Sequence, residues 1–274
     1  MPTITCQLPQ SVLEALEDRC RSTGDSIDHL VNRAVADALQ LEHATLYQVS
    51  TAGALVEGVY RGSVTVANLL EHGDFGLGTF DALDGEMVVL NGKCFQARGD
   101  GTVVEAEPHG KVPFAVVTRF QPQKPAEAPA IRTVGELTGF LDSLRDTDNL
   151  FFAIQVDGMF EQVGLRAVCK SEGHERLVDS AARQSEFSHT GLEGTLVGFW
   201  TPAYAKSVGI PGYHLHFISA DGTRGGQLLD CAGLGWRVRV QPITDFRMAI
   251  PETAEFLRAN LARDPSKDLE QAEK

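Results

Sequence analysis

The chain has 274 residues, 43% of them hydrophobic, enough to bury one large core or two modest ones. A formal net charge of −13 and a pI near 5.0 argue against general binding to a phosphate backbone and for a small-molecule or protein partner. No apolar run approaches membrane-spanning length, the amino terminus MPTITCQLPQ has neither part of a secretory signal, and five scattered cysteines without a C-x-x-C pair read as reduced thiols, so the cytoplasm is the expected compartment.

Residues 1–43 read as a separate module. Residues 3–8 alternate polar and apolar like a short strand ended by Pro9, and residues 11–22 place Val12, Leu13, Leu16 and Cys20 at helical spacing. After Gly24 a second helix is predicted through Leu41, capped by Asp25 or Ser26 and carrying Ile27, Leu30, Val31, Ala34, Val35 and Leu39. Strand, helix, helix resembles a ribbon-helix-helix module, a class that dimerises through its strands and can read DNA with their outward side chains. Arg19, Arg21 and Arg33 stand against seven acidic residues, a poor footprint for duplex DNA. Self-association into a homodimer is therefore expected rather than nucleic-acid binding, with a plain helical hairpin capping the main domain as the alternative.

From Thr45 onward short β-rich runs alternate with glycine and aspartate turns. Residues 76–80, 85–97 and 102–104 read as a meander with a hairpin turn at Asn91-Gly92, and residues 112–120 as a further strand. Residues 121–129, rich in proline and charge, read as a linker between halves at about 45–121 and 130–274. A helix follows over residues 133–145, with Thr133 and Glu136 as a capping box. Strands are predicted at 150–169, 194–200, 213–219, 226–231 and 236–242, then a helix at 253–262 and a charged tail. The expected fold class is α+β, predominantly β, with mixed and antiparallel sheets in two closely packed halves and few helices. No Rossmann fingerprint, P-loop, nucleophile elbow or internal repeat is present.

His214 and His216, two apart on a predicted strand, point to the same face. Residues 220–223 (ADGT) have turn chemistry, and pairing Ser219 with Arg224 across them sets Gln227 opposite His216 on that face. A histidine at 227 would complete a three-histidine zinc site, whereas glutamine offers only a neutral amide oxygen. Taken alone, such a pair is more often a polar strand face than a metal site.

Ordered blocks over residues 45 to about 260 resemble the α-acetolactate decarboxylases: LYQVST (46–51), GVY (58–60), HGDFGLGTF (72–80), LDGE (83–86), PFAVVT (113–118), NLF (149–151), DGMF (157–160), GTLVGFWTP (194–202) and GYHLHF (212–217). The resemblance implies a Zn²⁺ enzyme that converts 2-acetolactate to acetoin and carbon dioxide. It places the metal ligands on His214, His216 and Gln227, and the catalytic residues on Glu86, Arg166, Thr79 and a carboxy-terminal glutamate, Glu273 with Glu270 in reserve. In that reading zinc, chelated by the substrate's carbonyl and hydroxyl oxygens, stabilises the enediolate left by decarboxylation. Arg166 holds the carboxylate, and Glu86 or Glu273 delivers a proton. The chain departs from the family's usual residues at Gln227, Arg61, Gln155 and 52–57. Glu86 or the tail carboxylate could enter the coordination sphere in place of the missing histidine. The alternative is a non-catalytic decarboxylase-like ligand-binding domain with a degraded metal site.

Overall fold

The computed structural model describes residues 5–39, 44–122, 125–171 and 175–273, the side chain of Glu273 excepted. Residues 1–43 and 44–274 form two units. In the first, α1 (Gln10–Thr23) stops where Gly24 turns left-handed (φ 80°) and its N–H returns to the Cys20 carbonyl. Ser26, not Asp25, caps α2 (Ile27–Ala38) by accepting from the His29 N–H. The helix ends at Ala38, short of the predicted Leu41, which lies outside the described residues with 40, 42 and 43. Residues 5–8 form no strand, and Thr3 and Ile4 lie outside the described residues. Of the described residues of this unit only Ala36 is buried, while Leu8, Val12, Leu13, Ile27, Val35 and Leu39 are exposed. Two helices of this length with so small a core draw little stability from one another.

The second unit runs β1 (Thr45–Val49), α3 (Ala52–Val56), β2 (Val64–Thr65), α4 (Val66–His72), β3 (Phe75–Thr79), β4 (Glu86–Leu90), β5 (Lys93–Ala97), β6 (Val103–Glu105), β7 (Lys111–Val112) and β8 (Phe114–Thr118). It continues with β9 (Ala126–Glu127), α5 (Val134–Asp142), β10 (Phe151–Ala167), α6 (Leu177–Ala181), β11 (Ser185–Thr201), β12 (Gly212–Ser219), β13 (Gly225–Gly233), β14 (Arg237–Ile243), β15 (Asp245–Ala249), α7 (Ala254–Arg258) and α8 (Ser266–Glu273). Threonines start four of the helices: Thr51, Thr65, Thr133 and Thr253 each accept from an N–H in the first turn. In α5 Glu136 bonds the Arg132 N–H, so the predicted capping box reaches back one residue further. Asn91 and Gly92, both at positive φ (53° and 76°), make the tight β4–β5 hairpin.

One sheet has the order β15-β1-β8-β3-β4-β5-β6, the other β11-β12-β13-β10-β14-β9, and β2 pairs with β7. Strand β10 also pairs with β11 along its length, so β10, β11, β12 and β13 close into a ring around Phe160, Phe217 and Trp236. The two large sheets pack face to face, Leu46, Phe75, Leu77, Val88 and Phe114 of the first against Ala153, Val197, Phe199 and Ile218 of the second.

Several expectations are corrected. Strand β15, missed in the sequence, joins the first sheet parallel to β1 with Thr45 opposite Asp245, so the half at 130–274 contributes one strand to the sheet of the half at 45–121. The linker contains β9, which pairs with β14. Strand β11 begins at Ser185, well before 194, and the helix expected at 253–262 shortens to α7. The charged tail holds α8, with Leu269 and Ala272 buried. Among the described residues no helix is long and apolar enough to cross a membrane. All five cysteines are free, and burial pushes the Cys94 and Cys231 thiols up to about 12, as inert core residues.

Candidate active site

The turn at 220–223 builds the site's register. Asp221 accepts from the Ser219 hydroxyl and from Thr223, and the Ser219 N–H bonds the Arg224 carbonyl at 2.9 Å. That closure places Gln227 opposite His216 across β12 and β13, and Gln227 in turn stands opposite Arg166 on β10. Residues directly opposite in antiparallel strands share a face, so His216, Gln227 and Arg166 form a row, with His214 two residues along. A register shift between Gly164 and Leu165 adjusts β10 just before Arg166. Gly226 (φ 149°) lets the strands approach, since a Cβ there would lie 2.6 Å from the Arg166 carbonyl oxygen.

The first sheet supplies the opposite wall. Thr79 on β3 stands opposite Glu86 on β4, and the Thr79 hydroxyl donates to the Gly85 carbonyl at 2.8 Å, fixing the turn that presents Glu86. The buried Glu86 carboxylate accepts from the Val168 N–H at 3.2 Å. Next along β4, the Met87 carbonyl lies 2.8 Å from Nδ1 of His216. A carbonyl only accepts, so Nδ1 carries a hydrogen and Nε2 is the ring nitrogen turned to the site. That Nε2 lies 3.1 Å from Nε2 of His214 and 3.7 Å from Oε2 of Glu86. Burial, then the charge of Arg166, push the His214 imidazole down to about 3, while a hydrogen bond with the Gln227 side chain opposes them. The guanidinium of Arg166, buried within β10, donates from Nη1 to Oε1 of Gln184 at 3.1 Å.

A cavity of about 50 Å³ is lined by Thr79, Glu86, Arg166, His214 and Gln227, with His216 behind. Leu177 and Ala181 of α6 and Ala272 of α8 form its apolar wall. A larger recess of about 510 Å³, bordered by Ser266, Leu269 and Glu270 of α8, shares Ile210 and Gln227 with it. Six sequence-predicted residues thus meet at one place. Glu270 borders the outer recess rather than the cavity, and the side chain of Glu273 lies outside the described residues. Arg61 pairs with Glu255 and Gln155 with Asp157, and neither lines the cavity. Of the single-residue departures Arg61, Gln155 and Gln227, only Gln227 touches the site. Sequence reasoning missed Gln184, the Met87 carbonyl and the α6 and α8 walls, for which spacing along the chain carries no signal.

The donor set can be tested against a zinc ion. Two imidazole nitrogens on one tetrahedral zinc stand about 3.3 Å apart, and those of His214 and His216 are 3.1 Å apart. Among the described residues no three His, Cys, Asp or Glu side chains are grouped to hold a metal. The groups that could hold a zinc ion here are the two imidazole nitrogens and the Gln227 amide beside His214, whose oxygen is a weaker donor than imidazole.

Residues 46–263 match the family model for alpha-acetolactate decarboxylase. The chain is 42% identical over 233 residues to the alpha-acetolactate decarboxylase of Methylococcus capsulatus, covering 85% of this chain and 90% of that one. With the alpha-acetolactate decarboxylase of Methanosarcina mazei it shares 39% over 254 residues, 92% of this chain and 87% of the relative. That span is more than residues 44–274 can supply, so the match reaches into the amino-terminal unit. The crystal structure of alpha-acetolactate decarboxylase from Bacillus subtilis strain 168 superposes with a TM-score of 0.80 at 35% identity, covering 84% of this chain and 99% of that one.

Proposed function

The chain belongs to the alpha-acetolactate decarboxylase family, and on that premise we propose how its own residues convert 2-acetolactate to acetoin and carbon dioxide. It is a carboxy-lyase. The observation that carries the residue roles is the convergence of a buried arginine, a buried carboxyl and two imidazoles on one small cavity.

Arg166 takes the substrate carboxylate on its guanidinium fork and holds the bond to be broken in one orientation. The bond between C1 and C2 cleaves, carbon dioxide leaves, and the electron pair passes from C2 toward the neighbouring ketone oxygen, giving an enediolate. Glu86, acting as the carboxylic acid, gives its proton to C2, acetoin results, and the carboxylate left on Glu86 is re-protonated from water. Thr79 positions Glu86 through the Gly85 carbonyl. Glu273, the last residue of α8, is the second candidate proton donor. Held by His214, His216 and the Gln227 amide oxygen, zinc would supply a Lewis acid for the charge that develops on oxygen. The Met87 carbonyl keeps Nε2 of His216 turned inward for that purpose.

Self-association is assigned to the amino-terminal unit, whose apolar side chains are exposed, and makes the enzyme a homodimer. Five unpaired cysteines accord with a cytoplasmic location. Purified protein given racemic 2-acetolactate should produce acetoin above the spontaneous background, faster with added zinc. Background-level acetoin at saturating zinc would overturn the catalytic reading in favour of a ligand-binding role.

A further inference from the structure

We propose that Gln184 is a positioning residue for the reaction, fixing the Arg166 guanidinium at the angle that receives the substrate carboxylate without cancelling its charge. This rests on Arg166 being the carboxylate clamp.

A guanidinium has only donors, so the Gln184 atom that meets Nη1 of Arg166 at 3.1 Å is the amide oxygen. The backbone around Gln184 is held from two directions. Its N–H bonds the Ala181 carbonyl and the Arg183 N–H bonds that of Ser180, both at 3.1 Å, tying the turn to α6. The next residue, Ser185, enters the β11–β10 ladder opposite Ala167, the neighbour of Arg166. The amide oxygen is therefore presented from a fixed anchor, and α6 beneath it also supplies Leu177 and Ala181 to the cavity wall.

The residue type matters as much as the contact. A planar fork recognises a carboxylate in two parallel bonds only if its plane is set beforehand, and one outer acceptor on Nη1 restricts that plane. A neutral amide does this without itself setting an anion against the guanidinium. A carboxylate at the same position would keep the hydrogen bond and add an anion competing with the substrate for the same guanidinium.

The test compares Q184E, Q184L and R166A with the unaltered protein in steady-state assays on 2-acetolactate, with melting curves for each. Q184E is nearly isosteric, and its KM should rise roughly tenfold at an unchanged melting temperature, because clamp and competing anion are both present in the ground state. Q184L should raise KM and also lower kcat, since the fork is no longer oriented. If either Gln184 variant melts early, Q184N, which withdraws the oxygen by one methylene, should reproduce the KM rise in a stable protein. A KM unchanged in Q184E and Q184L while R166A is impaired overturns the positioning role alone. A wild-type kcat/KM in R166A overturns the clamp itself.

Discussion

Gln227 stands opposite His216 in the β12–β13 ladder, so the backbone delivers residue 227 to the imidazole pair whatever its side chain. Gln227→His should therefore restore a three-nitrogen site without rebuilding the fold. Zinc affinity, measured by competition with a chromophoric chelator, should rise at least 10- to 100-fold, roughly the range that even outer-shell partners command. Acetoin formation at limiting zinc should rise with it, and unchanged affinity would remove residue 227 from the coordination sphere.

Removing the clamp should be costly. Arg166→Ala takes a buried, hydrogen-bonded cation from the carboxylate it would pair with, a loss of about 2–5 kcal/mol, or roughly 30-fold or more in kcat/KM. Arg166→Lys restores charge without the fork and should recover only part of the loss.

What was legible in the sequence had local causes. The period of two along β12, with turn residues at 220–223, was enough to set His216 against Gln227, and Asn91-Gly92 was enough for the β4–β5 hairpin. The unread parts depend on partners distant in sequence. Among the described side chains of α8 only Leu269 and Ala272 are buried, beside charged neighbours, too few apolar residues to show a period. Gln184 meets Arg166 around α6, across 18 residues that no spacing rule connects. The strand expected at 3–8 does not form in the described residues of one chain, consistent with an alternation that needs a second strand beside it.

The turn that sets the register should be acid-sensitive. Hydrogen bonds from Ser219 and Thr223 hold the Asp221 carboxyl at about 2, against an ordinary 3.8. Its folded pKa lies below its unfolded one, so its stabilising contribution is complete above pH 3.8 and is lost as pH falls toward 2. Asp221→Ala should melt lower than the parent at neutral pH, and the gap should close across that window. A gap independent of pH would mean the carboxylate does not hold the turn.

Trp236 is completely buried, stacks on Phe160 with ring centroids 4.5 Å apart, and donates from Nε1 to the Met159 carbonyl at 2.8 Å. Trp236→Ala should cost about 3–5 kcal/mol in a denaturant titration. It lies outside the catalytic cavity, so KM for 2-acetolactate should hold at temperatures where the variant stays folded.

Deleting residues 1–43 should leave turnover intact, because the described residues that line the cavity all fall within 44–274. Light scattering should show the mass fall from two copies to one. A dimer that survives the truncation would move self-association to the larger unit.

The parallel pairing of β15 with β1 has a consequence for synthesis. Thr45 cannot find Asp245 until 200 further residues have been made and have emerged from the ribosome. Through that interval one edge of β1 lacks its neighbour, a long-range closure of the kind that slows folding and invites wrong pairings. The nascent enzyme completes its first sheet among its last steps, and a stalled chain ending before residue 245 would carry an open edge into the cell.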